Sequence, residues 1–355
     1  MSSSVLILTE CGIKIGFGHL TRCLSLAQAF REAGQDVQMW VAADEEVRSK
    51  IPETIQIRPW YDQTSEVDAV VARSSLVLVD SYLVAPERLN AILDCHPRVA
   101  VLDDFRRLDY RRGIVIDWTV GAERFAYPNK HPQVRYLLGG RYCVLRQEFR
   151  NNPERSFNDS PKSVLVTFGG TDLRSLTGPV LSMLQRKFPN LEKHVVVGPG
   201  FRDPSGLYAR REPLTFFHSN CDAAMMQSLM TGADMAVCGG GQTLYEMASQ
   251  GLPPVVVNLV ENQADDIRGF VEAGFASAAG WWNSPDFIEV LAAQLRELWP
   301  MAARARRAAA GESCVDRHGI KRLVEALLQD VNVETNRNPI LNPPAPAEQR
   351  TITQE

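Results

Sequence analysis

The feature that most limits how this chain can fold is an alternation of short aliphatic runs with helix-like stretches, repeated in two series. The first series has apolar runs at 5–8, 37–41, 76–79 and 99–102, with a helix-like segment over about 20–33 closed by Gly34. The second has runs at 163–168, 195–197, 214–217, 235–237 and 255–259. Such alternation predicts parallel sheets joined by crossover helices. Between the series lies a polar, turn-rich stretch containing Asn151, Asn152, Pro153 and Pro161. The expected organisation is α/β. An N-terminal Rossmann-like domain spans 1–150, a linker 151–162 and a C-terminal Rossmann-like domain 163–330. The two doubly wound domains face each other across a cleft, with ligands at the carboxyl ends of the strands. Residues 331–355 read as a disordered tail, since 333–355 carry four prolines and little apolar periodicity.

One strand-to-helix junction carries the clearest chemistry. The apolar run ending at Cys238 leads into Gly239-Gly240-Gly241-Gln242-Thr243-Leu244-Tyr245-Glu246. Three glycines let backbone N–H groups approach an anion at the N-terminus of the following helix, which makes Gly240, Gly241, Gln242 and Thr243 candidates for holding a diphosphate. On that helix Glu246 can accept hydrogen bonds from the vicinal hydroxyls of a ribose. Diphosphate plus ribose indicates a nucleotide. The alternatives are a plain turn for the glycines and a solvated surface charge for Glu246. Asn262 and Gln263, just beyond the next apolar run, are suited to bonding hydroxyl or acetamido groups of a sugar.

The second constellation is Gly16-Phe17-Gly18-His19-Leu20-Thr21-Arg22-Cys23, directly after the loop of the first strand. The glycines allow a tight turn, and Leu20, Cys23, Leu24, Ala27 and Phe30 give the helix one apolar stripe. His19 is then expected at the helix N-terminus, pointing toward the cleft. There the helix dipole disfavours the imidazolium, so a neutral ring able to accept a proton is expected. The alternative is a capping or packing histidine. The segment lacks the third glycine of a dinucleotide fingerprint, which argues against a dehydrogenase.

Composition narrows the classes further. With 38 basic against 42 acidic residues and a net charge of −4, the basic residues are scattered, and no nucleic-acid partner is expected. No apolar run approaches the roughly 20 residues of a membrane span. The first residues, Met1-Ser2-Ser3-Ser4, lack the features of a signal peptide, so a cytoplasmic location is expected. Seven cysteines without CxxC spacing read as reduced core thiols. Histidines without metal-ligand spacing imply no metal, and no cofactor is expected. Oligomeric state is not written in the sequence.

Several supporting residues have two readings. Asp80 and Asp103 each follow an apolar run, where a carboxylate caps a loop as readily as it serves a site. Gly169-Gly170-Thr171-Asp172 is expected to border the cleft, touching a diphosphate or simply turning the chain. Trp281 and Trp282 read as packing residues, and Arg304, Arg306 and Arg307 as a solvated helix face.

The glycine loop with Thr243, Glu246, Gly251, Pro253, Asn262 and Gln263 resembles the donor-binding segment of the GT-B superfamily of nucleotide-sugar enzymes. A closer resemblance runs from about residue 5 to about residue 325. It rests on Gly16-x-Gly18-His19-x-x-Arg22, Asp80-Ser81-Tyr82, Val101-Leu102-Asp103-Asp104, Tyr142-x-x-Leu145-Arg146-x-Glu148-Phe149, Phe168-Gly169-Gly170-Thr171-Asp172, Glu261-Asn262-Gln263 and Asp316-x-x-Gly319-x-x-Arg322, in that order. The chain resembles the bacterial UDP-2,4-diacetamido-2,4,6-trideoxy-β-L-altropyranose hydrolases of pseudaminic acid biosynthesis. The resemblance implies a GT-B-like fold and hydrolysis of the glycosyl C–O bond to UDP. It also implies catalytic roles for His19 and Tyr82, with Gly16, Gly18, Arg22, Asp80 and Gly170 joining the substrate-binding set. The family usually has an arginine and an aspartate after the first strand. This chain has Leu8-Thr9-Glu10-Cys11-Gly12 instead, which leaves open a related UDP-linked acetamido or diamino sugar. A GT-B glycosyltransferase using the same kind of donor, and a catalytically silent nucleotide-sugar binding protein, are the competing expectations.

Overall fold

The computed structural model describes residues 4–329 apart from 14, 53–54, 62–63, 126–130, 152–154, 203 and 211. The segment read as a tail lies outside the described residues, as does part of the expected linker. The first sheet contains β1 (Ser4–Cys11), β2 (Asp36–Ala43), β3 (Gln56–Ile57), β4 (Leu76–Asp80), β5 (Val99–Leu102), β6 (Gly113–Asp117) and β7 (Val134–Leu138). The second contains β8 (Ser163–Thr167), β9 (Glu192–Val197), β10 (Thr215–Ser219), β11 (Met235–Gly239), β12 (Pro254–Asn258) and β13 (Ser277–Trp281).

The spatial orders are β3-β2-β1-β4-β5-β6-β7 and β10-β9-β8-β11-β12-β13, and the pairings are parallel. Both sheets therefore follow the doubly wound 3-2-1-4-5-6 order, whose winding direction reverses beside the first strand. That reversal falls between β1 and β4 in one lobe and between β8 and β11 in the other. The loops leaving these four strands diverge there and open a crevice.

Burial explains the strand pattern. Val5, Leu6, Ile7 and Leu8 of β1 are all fully buried, as a strand covered by helices on both faces must be. The helix Gly18–Glu32 buries Leu20, Cys23, Leu26, Ala27 and Phe30 against β1, with Leu24 partly buried beside them. Its end is closed at Gly34, which adopts φ +77, while Gln35 N–H bonds back to Phe30 O at 3.0 Å. Strands β3, β6, β7 and β13 were not foreseen. No helix separates β5 from β6, so the alternation that marks a strand is missing there, and β13 is built from the weakly apolar Ser-Ala-Ala-Gly-Trp.

Two segments differ from the sequence expectation. The helix Gly319–Leu328 was grouped with the C-terminal unit but packs on the N-terminal lobe. Arg98 Nη2 donates to Leu327 O at 2.8 Å and Arg135 Nη1 to Ala326 O at 2.9 Å. Ile320, Leu323 and Leu327 join the same apolar cluster as Leu26 and Phe30. The expected solvated face of Arg304, Arg306 and Arg307 is also corrected. Arg304 is fully buried; its Nη1 lies 3.4 Å from Asp234 Oδ1 and Nη2 donates to Asn158 O. Arg307 donates to Ala276 O at 2.9 Å, and Arg306 alone is exposed. The Arg304 guanidinium ties the helix Met301–Cys314 to the linker at Asn158 and to Asp234, the residue before β11, a role that residue spacing does not reveal.

Four of the seven free cysteines are buried, and Cys95 is exposed. Trp282 packs under Arg174, 4.5 Å from guanidinium to ring centre. Among the described residues no helix is long and apolar enough to cross a membrane.

Candidate functional site

A cavity of about 540 Å³ opens between the lobes at the carboxyl ends of β1, β4, β5, β8, β11 and β12. Of the residues expected to form a site, Gly16, Gly18, His19, Arg22 and Tyr82 line it from one lobe. Gly170, Gly240, Gly241, Gln242, Thr243, Glu246, Asn262 and Gln263 line it from the other. Asp80 does not line the cavity. It is fully buried beneath it and holds the residues that do.

His19 is the second residue of the helix Gly18–Glu32, and its Nδ1 lies 2.7 Å from Asp80 Oδ1. A carboxylate only accepts, so Nδ1 presents an N–H to Asp80; Arg22 Nη2 lies 3.1 Å from the same ring nitrogen. Arg22, one turn along the same face, donates Nε to Asp80 Oδ2 and Nη2 to Asp80 Oδ1, both at 2.6 Å. Its Nη1 donates to Asp104 Oδ2 at 2.6 Å. Burial by itself raises a carboxyl, but Arg22 and His19 hold Asp80 well below the usual carboxylate range. Burial likewise opposes the charge on Arg22, yet Asp104 and Asp80 push its pKa well above the ordinary value. The hydroxyl of Tyr82 donates to Asp104 Oδ1. Its ring meets His19 edge-on, 4.5 Å between centroids. The result is a fixed array of His19, Arg22, Tyr82 and Asp104 anchored on one buried carboxylate.

Glu10, near the end of β1, has a structural use. Glu10 is fully buried, accepts from Tyr82 N–H at 2.7 Å and from the Ser81 hydroxyl, and so fixes the loop that presents Tyr82. Asp103 takes the capping alternative, accepting from Arg107 N–H at 3.1 Å. Asp172 also caps, accepting from Leu176 and Thr177 N–H groups at 2.9 and 3.0 Å, while Phe168, Gly169, Gly170 and Thr171 border the cavity.

Across the cleft, Gly241 precedes the helix Gln242–Ser249 at φ 94, ψ −162, a conformation open essentially to glycine alone. At Gly240 a Cβ would lie 2.9 Å from Gln263 Cβ, so the backbone runs bare along this wall. No side chain caps that helix, and its first residues, Gln242 and Thr243, line the cavity, so its N-terminal N–H groups have no side-chain acceptor. Glu246 is 2% exposed and meets Arg146 in a two-pronged pair, Nε to Oε1 at 2.6 Å and Nη2 to Oε2 at 2.9 Å. Burial raises its carboxyl and Arg146 opposes the rise. A carboxylate has lone pairs beyond the two that Arg146 uses.

Sequence reasoning assigned no site role to Asp104, Trp118, Arg146, Tyr245 and Asp266, which also line the cavity. Asp104 and Arg146 sit inside motifs already noted, and the second carboxylate of Asp103-Asp104 was an available signal. Tyr245 and Asp266 carried none, because they meet only in the fold: the Tyr245 hydroxyl donates to Asp266 Oδ1.

Solved structures align along nearly the whole chain. Spinosyn rhamnosyltransferase SpnG complexed with thymidine diphosphate matches with a TM-score of 0.60 at 16% identity, over 92% of this chain and 100% of that one. Acinetobacter baumannii MurG matches with a TM-score of 0.57 at 15% identity, over 91% and 99%. The fold is GT-B. No family model matches the sequence. Among curated proteins, the chain is 26% identical over 279 residues to an uncharacterized protein of Methanocaldococcus jannaschii, covering 74% of this chain and 57% of that protein. A Helicobacter pylori protein named pseudaminic acid cytidylyltransferase and UDP-2,4-diacetamido-2,4,6-trideoxy-β-L-altropyranose hydrolase is 21% identical over 303 residues, 83% of this chain and 52% of that one. The Bacillus subtilis spore coat polysaccharide biosynthesis protein SpsG is 28% identical over 204 residues, 56% and 59% of the two chains. The chain thus spans between 52% and 59% of the length of these relatives.

Proposed function

We propose that this protein hydrolyses a UDP-linked acetamido sugar to free sugar and UDP. The substrate is UDP-2,4-diacetamido-2,4,6-trideoxy-β-L-altropyranose or a close relative, and the pathway is nonulosonic (pseudaminic) acid biosynthesis. The observation that carries this reading is His19, fixed through Nδ1 by Asp80 at 2.7 Å, in a cleft whose opposite wall is the bare Gly240-Gly241 cradle. The name borne by the Helicobacter pylori relative supports the choice of reaction and sugar.

In this mechanism the diphosphate rests on the N–H groups at the start of Gln242–Ser249, and Glu246 bonds the ribose. The free ring nitrogen of His19 takes a proton from water as the water oxygen bonds to the anomeric carbon. The C–O bond to the diphosphate breaks, and the helix N-terminus stabilises the charge that departs with UDP. Tyr82, Asn262 and Gln263 orient the sugar and water. Tyr82 and Asn262 come from opposite lobes and both line the cavity.

The second reading is a glycosyltransferase that passes the sugar to an acceptor hydroxyl. One observation favours it: Leu83 and Phe105, neighbours of Tyr82 and Asp104, are 54% and 40% exposed, a surface on which an apolar acceptor can rest. The deciding experiment is UDP release from the diacetamido-altropyranose nucleotide with no acceptor, beside the His19→Asn variant. Release that depends on His19 supports hydrolysis. Binding without release transfers the assignment to the glycosyltransferase.

A further inference from the structure

Two carboxyls line the cleft from opposite lobes: Asp104, on the loop after β5, and Asp266, on the helix Ala264–Glu272. The helix Gln242–Ser249, whose N-terminal N–H groups suit an anion, touches the second of them through Tyr245. Asp104 is tied to the catalytic array through Arg22 and Tyr82. Asp266 is 8% exposed and lines the cavity. Among the described residues it has no cationic partner; its bond is to the hydroxyl of the buried Tyr245. The ion-pairing groups of Arg22 are already committed to Asp80 and Asp104.

Resting on the function proposed above, we propose that Asp104 and Asp266 form the glycosyl-recognition face of the cleft and select an uncharged sugar, read through its hydroxyl or amide groups, over an anionic one. A hydroxyl or a secondary amide offers both a donor and an acceptor. Ionised Asp104 takes the donor. Asp266, when it holds its proton, supplies a donor to the acceptor. A carboxylate on the sugar would instead meet Asp104 in a site that lacks a spare cation, and repulsion in a partly desolvated cleft rejects it.

The surroundings of Asp266 favour that proton. Burial is the largest influence and brings the carboxyl to about 7, with Asp104 and the buried Asp117 of the other lobe adding to the rise and the Tyr245 and Thr119 hydroxyls opposing it. Buried Cys143, from the N-terminal lobe, also faces it. On its own helix, Asp265 and Arg268 pair with each other. Asp266 thus changes between donor and acceptor near neutral pH.

The test is calorimetric binding of UDP, UDP-N-acetylglucosamine and UDP-glucuronate to the full chain, as wild type and as Asp266→Asn, at pH 6 and pH 8. The ester-linked diphosphate of the two sugar nucleotides does not titrate between these values, so a pH effect on them belongs to the protein. With Asp266 near 7, wild-type affinity for UDP-N-acetylglucosamine is expected to fall about tenfold from pH 6 to pH 8. The Asp266→Asn variant, whose amide donates at both values, should show no such fall. UDP-glucuronate should bind wild type at least about tenfold more weakly than UDP-N-acetylglucosamine. Equal binding of the two sugar nucleotides, or a flat wild-type pH response while UDP binds normally, overturns this inference alone. Failure of UDP itself to bind removes the proposed function and the inference together.

Discussion

Nδ1 of His19 lies 2.7 Å from Oδ1 of Asp80, a strand-end carboxylate with no exposed surface. Beside an ionised carboxylate Nδ1 presents an N–H, and the contact fixes the orientation of the ring. Asp80 also receives two bonds from Arg22, so one carboxylate sets the geometry of two helix residues that line the cleft.

Replacing His19 by Asn is expected to lower UDP release by about 10²–10⁴-fold, the range of a general base, while the affinity for UDP stays within about twofold because the anion cradle is on the other lobe. Steady-state turnover and calorimetry on the same preparation check both halves. Unchanged turnover removes the proposed mechanism.

Asp80→Asn keeps the volume but not the charge, and an amide can present a donor to the His19 Nδ1–H. A drop in kcat of at least about 10²-fold is expected, with little change in UDP affinity. Because Arg22 loses its buried partner, the melting temperature should fall as well. A variant with normal kcat would detach Asp80 from the mechanism.

Gly241→Ala places a side chain at φ 94, ψ −162. The strain is of order 1–3 kcal/mol if the loop holds its shape. UDP affinity is expected to fall by tenfold or more as the loop shifts to relieve it, with near-normal circular dichroism. Native affinity in this variant would rule out the loop as the diphosphate cradle.

Stability should carry the signature of Asp266. Its folded-state value of about 7 lies above the unfolded carboxyl value near 4. The group's contribution is therefore complete below about pH 4 and is lost as pH rises through about 7. Asp266→Asn is neutral throughout, so it should gain on wild type by roughly 2 kcal/mol between pH 5 and pH 8. Denaturant unfolding at the two pH values measures it, and a constant difference contradicts the assignment.

Arg304→Ala should destabilise the C-terminal lobe by about 3 kcal/mol, since it leaves the buried Asp234 short of its cation and opens a cavity between helix and sheet. Conversion of Arg306, which is exposed, should change unfolding by less than about 0.5 kcal/mol.

Residue order by itself determined the strand-and-helix rhythm of two doubly wound sheets, because a strand buried on both faces must be apolar throughout and a crossover helix must be amphipathic. It also marked the glycine loop at 239–241 and the position of His19, because close approach of backbone to an anion and a turn into a helix each demand particular residue types. It did not separate Asp80 as an anchor from Asp80 as a ligand contact, since a carboxylate after a strand serves either end equally well. It placed Arg304 in solvent and the helix Gly319–Leu328 with the wrong lobe, because an amphipathic stripe records that a face is buried but not against what. The bond of Tyr245 to Asp266 arose only when two helices of the C-terminal lobe packed together, and the pairing of Arg146 with Glu246 only when segments 100 residues apart met. Local sequence sets which faces are apolar and which turns are possible. Charges brought together from distant positions take their partners, their desolvation and hence their chemistry from the tertiary structure alone.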